Sequence, residues 1–322
     1  MRGRQATERQ AEAVARLRRA ILEAYSYRDR LGVVWVERFR RFAPRLRRAK
    51  TAREFAAETA RLLSVACDLH LWLEVEDQRL PTYVRRGERN VAPMLLPRVV
   101  PRWRPHNAVV ASGRFARGTH YLWLRSWPPE TEARQALRPA YSVLRQASRP
   151  RGSLIIDVRA NGGGAEPTAA RFAGCFVDQP RCYSKHWRRQ RGRFTGPVAR
   201  WLKPNEAGPR YRGPVVVLIG PGTVSSCESF ALMMRQVPGC QLLGARTAGS
   251  SGNPQPVDLG NGVTVFVPSW KDLLPSGIGL EGRGVRPYIV VETNRASFLT
   301  GDPVLEEAVR LIEPSSGPVP LG

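Results

Sequence analysis

Pro214-Val-Val-Val-Leu-Ile-Gly220 is a β-branched, uncharged run closed by proline and glycine, the pattern of a strand covered on both faces as in an α/β core. The period then changes. Phe230, Ala231, Met233, Met234 and Val237 carry helical spacing, so Ser225 and Ser226, in Gly222-Thr-Val-Ser-Ser-Cys-Glu228, fall where strand turns into helix. A hydroxyl there sits beside the free N–H groups and positive dipole end of the helix, which favour an alkoxide or oxyanion. The same residues also fit a plain helix start, with a serine as N-cap and Glu228 in the first turn.

Gly152-Ser-Leu-Ile-Ile-Asp157-Val-Arg159-Ala-Asn161-Gly-Gly-Gly164 is a second buried-strand run, ending in three glycines. Glycines at a strand end permit positive φ and bring bare N–H groups close to a ligand, as an oxyanion hole requires. A tight turn with Asp157 and Arg159 as a structural ion pair is the plainer alternative. Together the two strand–turn–helix units offer a hydroxyl and N–H donors, the constellation of acyl transfer.

These two segments, with Leu243-Gly-Ala-Arg-Thr-Ala-Gly-Ser250-Ser-Gly-Asn-Pro254 and Leu280-Glu281-Gly-Arg-Gly-Val-Arg-Pro287, resemble in order the core of the tail-specific (C-terminal processing) serine peptidases, most closely the tricorn-core-like branch. The resemblance spans roughly residues 51 to 292. It implies a Clp-protease/crotonase-like α/β core of ββα units with an N-terminal helical bundle. It also implies Ser225 as nucleophile, with the N–H groups of Gly164 and Ser226 as oxyanion hole.

The general base is less direct. Many members of that family use a lysine after the nucleophile helix, but here the matching place reads Ala248-Gly-Ser-Ser-Gly252 and has none. The four lysines, Lys50, Lys185, Lys203 and Lys271, lie outside any motif that would desolvate one into a base; Lys271 reads as a solvated loop residue. Tricorn-like members use a histidine oriented by a glutamate. His70, in Asp68-Leu-His70, resembles the Asp-x-His element found before the family core, and a neutral imidazole there can accept the Ser225 proton and return it to the leaving amine. With an unshifted pKa near ~6.5 its activity would reach a plateau around neutrality. Asp68 fits a cap of that turn. Glu281 matches the acidic residue of the tricorn-like motif and would fix the His70 tautomer directly or through a hydroxyl such as Ser250; in isolation it is a surface glutamate in a glycine-rich turn. Asp157 supports the site. His106, His120 and His186 read as structural or exposed.

The resemblance thus implies a serine-type endopeptidase with a peptide or unfolded protein as substrate and no metal or organic cofactor; oligomers are compatible with it. The competing reading is a catalytically silent ligand- or peptide-binding protein on the same core. No PDZ module for substrate tails is found between His70 and the core.

Charge is the compositional outlier, 51 basic against 27 acidic side chains for a net +24. Nearly all the cations are arginine and they are scattered, densest in 38–53 and 181–193, with no nucleic-acid-reading motif, so weak polyanion binding is expected rather than a specific nucleic-acid function. Five cysteines, odd in number and without paired spacing, suggest neither a disulfide framework nor a zinc site; Cys227 would point inward from its helix. No secretory leader or bilayer-spanning stretch is read in the sequence as numbered, making the cytoplasm the default location, with export the alternative because the family it resembles includes exported members.

Along the chain, residues 1–70 read as a helical region: Val14, Leu17, Ile21 and Tyr25 share a face, a second helix covers 31–43 and stops at Pro44, and Thr51-Ala-Arg-Glu54 is a capping-box start for a third that buries Phe55, Thr59, Leu62, Leu63 and Ala66. Residues 71–150 form a small mixed β/α region, with strands at 71–75, 108–115 and 121–126 and a helix from Pro128-Pro129 to about Ala147. The peptidase core follows over 151–313, and 314–322 is a loose tail.

Overall fold

The structure, a computed structural model, describes residues 2–85 and 87–313, with side chains from residue 8 onward; the tail expected at 314–322 lies outside them. The described residues form two compact units, each assembled from separate stretches of chain: residues 2–85, 185–198 and 250–281 in one, and 87–184, 199–249 and 282–313 in the other.

In the first unit, helices Arg2–Arg19, Trp35–Arg48 and Ala52–Leu63 close around Leu17, Ile21, Phe39, Leu46, Phe55 and Leu62. Thr51 caps the third helix by accepting the Glu54 N–H at 3.1 Å, but Glu54 reaches back to the Lys50 N–H at 2.7 Å and not to that of Thr51, so the reciprocal half of the expected capping box is displaced by one residue. The second helix does not stop at Pro44 as expected; it runs through to Arg48. Its buried stripe of Trp35, Phe39, Phe42 and Leu46 continues past the proline, and burying Leu46 helps offset an interior proline's cost of about 3 kcal/mol.

The same unit holds a four-stranded antiparallel sheet in the order Pro254–Asp258, Val263–Pro268, Trp72–Val75, Gln78–Pro81. Leu73 pairs with Val265 and Val75 with Val263. Alternation turns Leu73, Val75, Val263, Val265 and Val267 into the helical core. Lys271 is not in a loop. It lies in strand Trp270–Leu273, opposite Trp187, with its ammonium 5.1 Å from the Phe194 ring centroid. The basic run 181–193 supplies the first arm of a hairpin, Arg181–Gln190 and Arg193–Leu202, in which His186 stacks on Trp270 at 4.2 Å.

The second unit is built on a seven-stranded sheet in the order Ile289–Val290, Gln241–Gly244, Val215–Ile219, Ser153–Asp157, Thr119–Leu124, Val110–Arg114, Arg104–Pro105. The first five are parallel and the last two antiparallel. Every residue of Val215–Ile219 and Ser153–Asp157 is buried. Val216, Leu218 and Ile155 face a cluster with Val304, Leu305 and Ala308 of helix Pro303–Ile312, and the alternate residues face the other side, which is why these runs are apolar without a period of two. Helices Glu166–Ala173 and Ser226–Met234 pack on each other. The single helix expected to end near Ala147 is two, Glu130–Ala136 and Arg138–Ala147. The break falls at Leu137 because Pro139 has no N–H to continue the first helix and suits the first turn of the second.

Candidate active site

Ser225 precedes helix Ser226–Met234 with φ 60° and ψ −129°, a conformation in which a residue with a Cβ is strained. The turn is braced on both sides within its unit. Thr223 Oγ1 donates to Val158 C=O at 2.9 Å and accepts the Gly220 N–H at 3.1 Å, while the Val224 N–H bonds Asn161 C=O at 3.1 Å. The Asn161 side chain accepts the Gly163 N–H at 2.9 Å, so one asparagine ties the glycine loop to the serine turn. Neither sequence motif revealed that link. Ser226 is buried and its hydroxyl has no hydrogen-bond partner, whereas Ser225 is half-buried.

The three glycines play different parts. Around Gly162 a Cβ would meet nothing within 4 Å. At Gly163, with φ 102°, it would stand 2.8 Å from both Ser225 Cβ and Val224 C=O, and at Gly164, with φ 130°, it would collide with Trp127 C=O. Trp127 donates to Gly163 C=O and accepts from the Ala165 N–H, both at 2.9 Å. In such a parallel bridge the intervening Gly164 turns its own N–H away from Trp127. The Ser226 N–H heads its helix, where no intrahelical acceptor exists for it.

Below the loop, Asp157 is fully buried. It accepts the Tyr121 hydroxyl at 2.7 Å and the Arg159 guanidinium at 2.6 and 3.0 Å, and Asp302 takes the other side of Arg159 at 2.8 Å through both oxygens. Burial alone would lower the arginine's pKa, but the two carboxylates raise it well above the usual value. This is the ion-pair arrangement weighed for Asp157 and Arg159, enlarged by Asp302, the N-cap of helix Pro303–Ile312.

Glu228 does more than occupy the first turn of its helix. It is fully buried, and its carboxylate accepts Thr247 Oγ1 at 2.5 Å and the Gly249 N–H at 2.7 Å, fixing the segment after Gln241–Gly244 against the nucleophile helix. Cys227 points inward as expected, and desolvation holds its thiol well above its ordinary pKa, leaving no thiolate to compete with Ser225.

In the other unit, His70 Nδ1 lies 2.7 Å from Ser250 Oγ. The His70 N–H is accepted by Asp68 Oδ1 at 2.8 Å, and Asp68 Oδ2 takes the Tyr25 hydroxyl at 2.8 Å. Asp68 therefore caps the turn from a buried position, where desolvation lifts its pKa to about 6. His70 is shifted the opposite way. Burial, then the positive charge of Arg79, depress it to about 4, so the imidazole is neutral at physiological pH and the unshifted value expected from sequence does not hold. Glu281 accepts the Ser251 N–H at 2.8 Å, with Arg30 3.8 Å away. Tyr27 reaches Ser251 Oγ at 2.9 Å and accepts the Asp272 N–H at 3.1 Å. His70, Ser250 and Glu281 thus belong to one unit, and Ser225, Ser226, Gly164 and Asp157 to the other. His106 and His120 are each depressed by burial and nearby arginines, and His186 by burial first. Among the described residues no group of three or more His, Cys, Asp or Glu side chains is placed to hold a metal ion, and no helix is long and apolar enough to cross a membrane.

Residues 119–291, just over half of the chain, match the family described as Peptidase family S41. No curated protein matches the sequence. Among solved structures the chain is similar to a candidate peptidase of Parabacteroides merdae ATCC 43184, with 21% identity, a TM-score of 0.78 and coverage of 94% of this chain and 96% of that one. It is also similar to mature CPAF, at 12% identity, a TM-score of 0.68 and coverage of 98% and 99%. The photosystem II D1 C-terminal processing protease matches at 15% identity with a TM-score of 0.53, over 88% and 93%. At these identities the likeness is one of fold, and the fold is the Clp-protease/crotonase-like α/β core that the four motifs imply.

Proposed function

The chain belongs to peptidase family S41, and on that premise we propose that it hydrolyses internal peptide bonds of unfolded proteins with Ser225 as nucleophile, His70 as general base and Glu281 as the group that orients it. Ser225 Oγ attacks the carbonyl carbon as His70 takes its proton. The N–H groups of Gly164 and Ser226 receive the negative oxygen of the tetrahedral intermediate. His70 then gives the proton to the leaving amine, and water releases the acyl group by the same path in reverse. Ser250 holds His70 Nδ1, so that Nε2 is the nitrogen left for proton transfer. Low basicity in the resting imidazole is compatible with this role, because Glu281 favours the imidazolium that forms as the proton arrives.

The observation that carries this reading is the backbone of Ser225. A serine serving only as N-cap needs ordinary extended dihedrals, whereas a residue kept at φ 60°, ψ −129° against its own preference is what a turn that projects a hydroxyl over a helix start requires. The test is hydrolysis of an unstructured protein such as casein by wild type, Ser225→Ala, His70→Ala and Lys271→Ala. Loss of at least ~100-fold is expected for the serine variant, most of the turnover for the histidine variant, and little for the lysine variant. A fully active Ser225→Ala enzyme removes the nucleophile assignment. If no variant matters and no serine-directed reagent labels the protein, the chain is a silent binding protein.

A further inference from the structure

At the end of strand Val215–Ile219 opposite the Ser225 turn, the second unit has a cavity of about 390 Å³ whose lining includes Arg117, Arg149 and Arg151 together with Thr119 and Ser153. Its size is that of a small-ligand site. Among the described residues Glu313 is the one acidic residue of the lining. Three guanidiniums against one carboxylate give the lining a formal charge opposite in sign and close in magnitude to that of a phosphoryl dianion, about −1.5 to −2 at neutral pH.

Two details separate this cavity from a chance gathering of arginines in an arginine-rich chain. First, Arg149-Pro150-Arg151-Gly152 is a closed turn with the Gly152 N–H bonded to Arg149 C=O at 2.9 Å, and Arg151 takes φ 63°. With proline second and a positive φ third, this is the turn in which glycine is the favoured third residue. An arginine there keeps its side chain at a conformational cost, and backbone strain of this kind points to a use for the side chain. Second, the cations are not engaged in closing helix Arg138–Ala147, the ordinary duty of arginines that follow a helix. Leu144 C=O is taken by the Ser148 N–H and hydroxyl, and Gln146 C=O by the Arg149 N–H. Among the described residues neither the Arg149 nor the Arg151 guanidinium has a hydrogen-bond or ion-pair partner.

We propose that this cavity binds a phosphoryl dianion, held by forked contacts from Arg149 and Arg151. The preference for phosphoryl over carboxylate follows from charge and from the number of acceptor oxygens that the two planar donor forks of Arg149 and Arg151 can engage.

The test is calorimetric titration of the full chain with inorganic phosphate, glycerol 3-phosphate and succinate at fixed ionic strength. Binding of one equivalent of phosphate or of the ester, tighter than succinate, is expected. Arg149→Ala/Arg151→Gly should weaken it at least about tenfold, and glycine at 151 suits the turn, so the fold is kept. An Arg40→Ala/Arg41→Ala protein, which loses the same charge from an exposed helix face, should bind as wild type does. Equal affinity for phosphate and ester identifies free phosphate as the ligand, and tighter ester binding identifies a phosphate monoester. The proposal falls if no phosphoryl compound binds, if succinate binds as well, if the turn variant binds undiminished, or if the helix-face variant loses as much.

Discussion

Ser225 holds conformational energy that its hydroxyl alone justifies. Replacing it by alanine keeps the Cβ and the strain, whereas glycine relieves the strain at the price of a looser unfolded chain, effects of about 1–3 and 0.4–1 kcal/mol respectively. Ser225→Gly should therefore unfold at higher denaturant than Ser225→Ala while both are inactive, and the reverse order would show that the turn is not strained. His70 carries a second prediction. Its pKa of about 4, set by burial and then Arg79, makes it the proton acceptor at every pH above that value, so kcat/KM should fall only as pH drops through about 4, and be flat at neutrality. Arg79→Ala removes a cation and should move that acid limb upward. A limb already near ~6.5 in the wild type would mean the imidazole is not desolvated during turnover.

The glycine loop and serine turn work as a pair of elements. Gly162→Ala should be tolerated within about 0.5 kcal/mol, since its Cβ enters open space, whereas Gly163→Ala should cost over about 2 kcal/mol and most of the activity; unfolding curves and casein hydrolysis of the two proteins decide it. In the sequence these glycines are equivalent letters. Their difference arises from where Val224 and Ser225 return, some sixty residues later, and no local pattern encodes that. The strands at 153–157 and 215–219 were legible for the opposite reason, because burial on both faces writes itself into composition. Pro44 misled because its local penalty is visible and the long apolar stripe that outweighs it shows only when the helix packs. His70, Glu281 and a Ser250 hydroxyl beside the imidazole could be named from motifs, but the depressed imidazole depends on packing, and the contacts of Asn161, Glu228 and Tyr27 emerge only when distant segments meet.

For the whole molecule, the +24 charge predicts weak binding to random DNA that disappears between about 50 and 200 mM salt, as counterion release demands; fluorescence anisotropy would measure it, and tight sequence-selective binding at the higher salt would contradict it. The order in which the chain is made has a consequence of its own. Leu73 pairs with Val265, so on a ribosome adding ~5–20 residues per second the N-terminal helices and their hairpin wait about 10 to 40 s for the strands that complete their sheet. Through that interval the apolar edge of Trp72–Val75 is an open template for any other extended chain. For this protein the nascent state is the hazardous one, and a fragment ending before residue 250 should accumulate as aggregate.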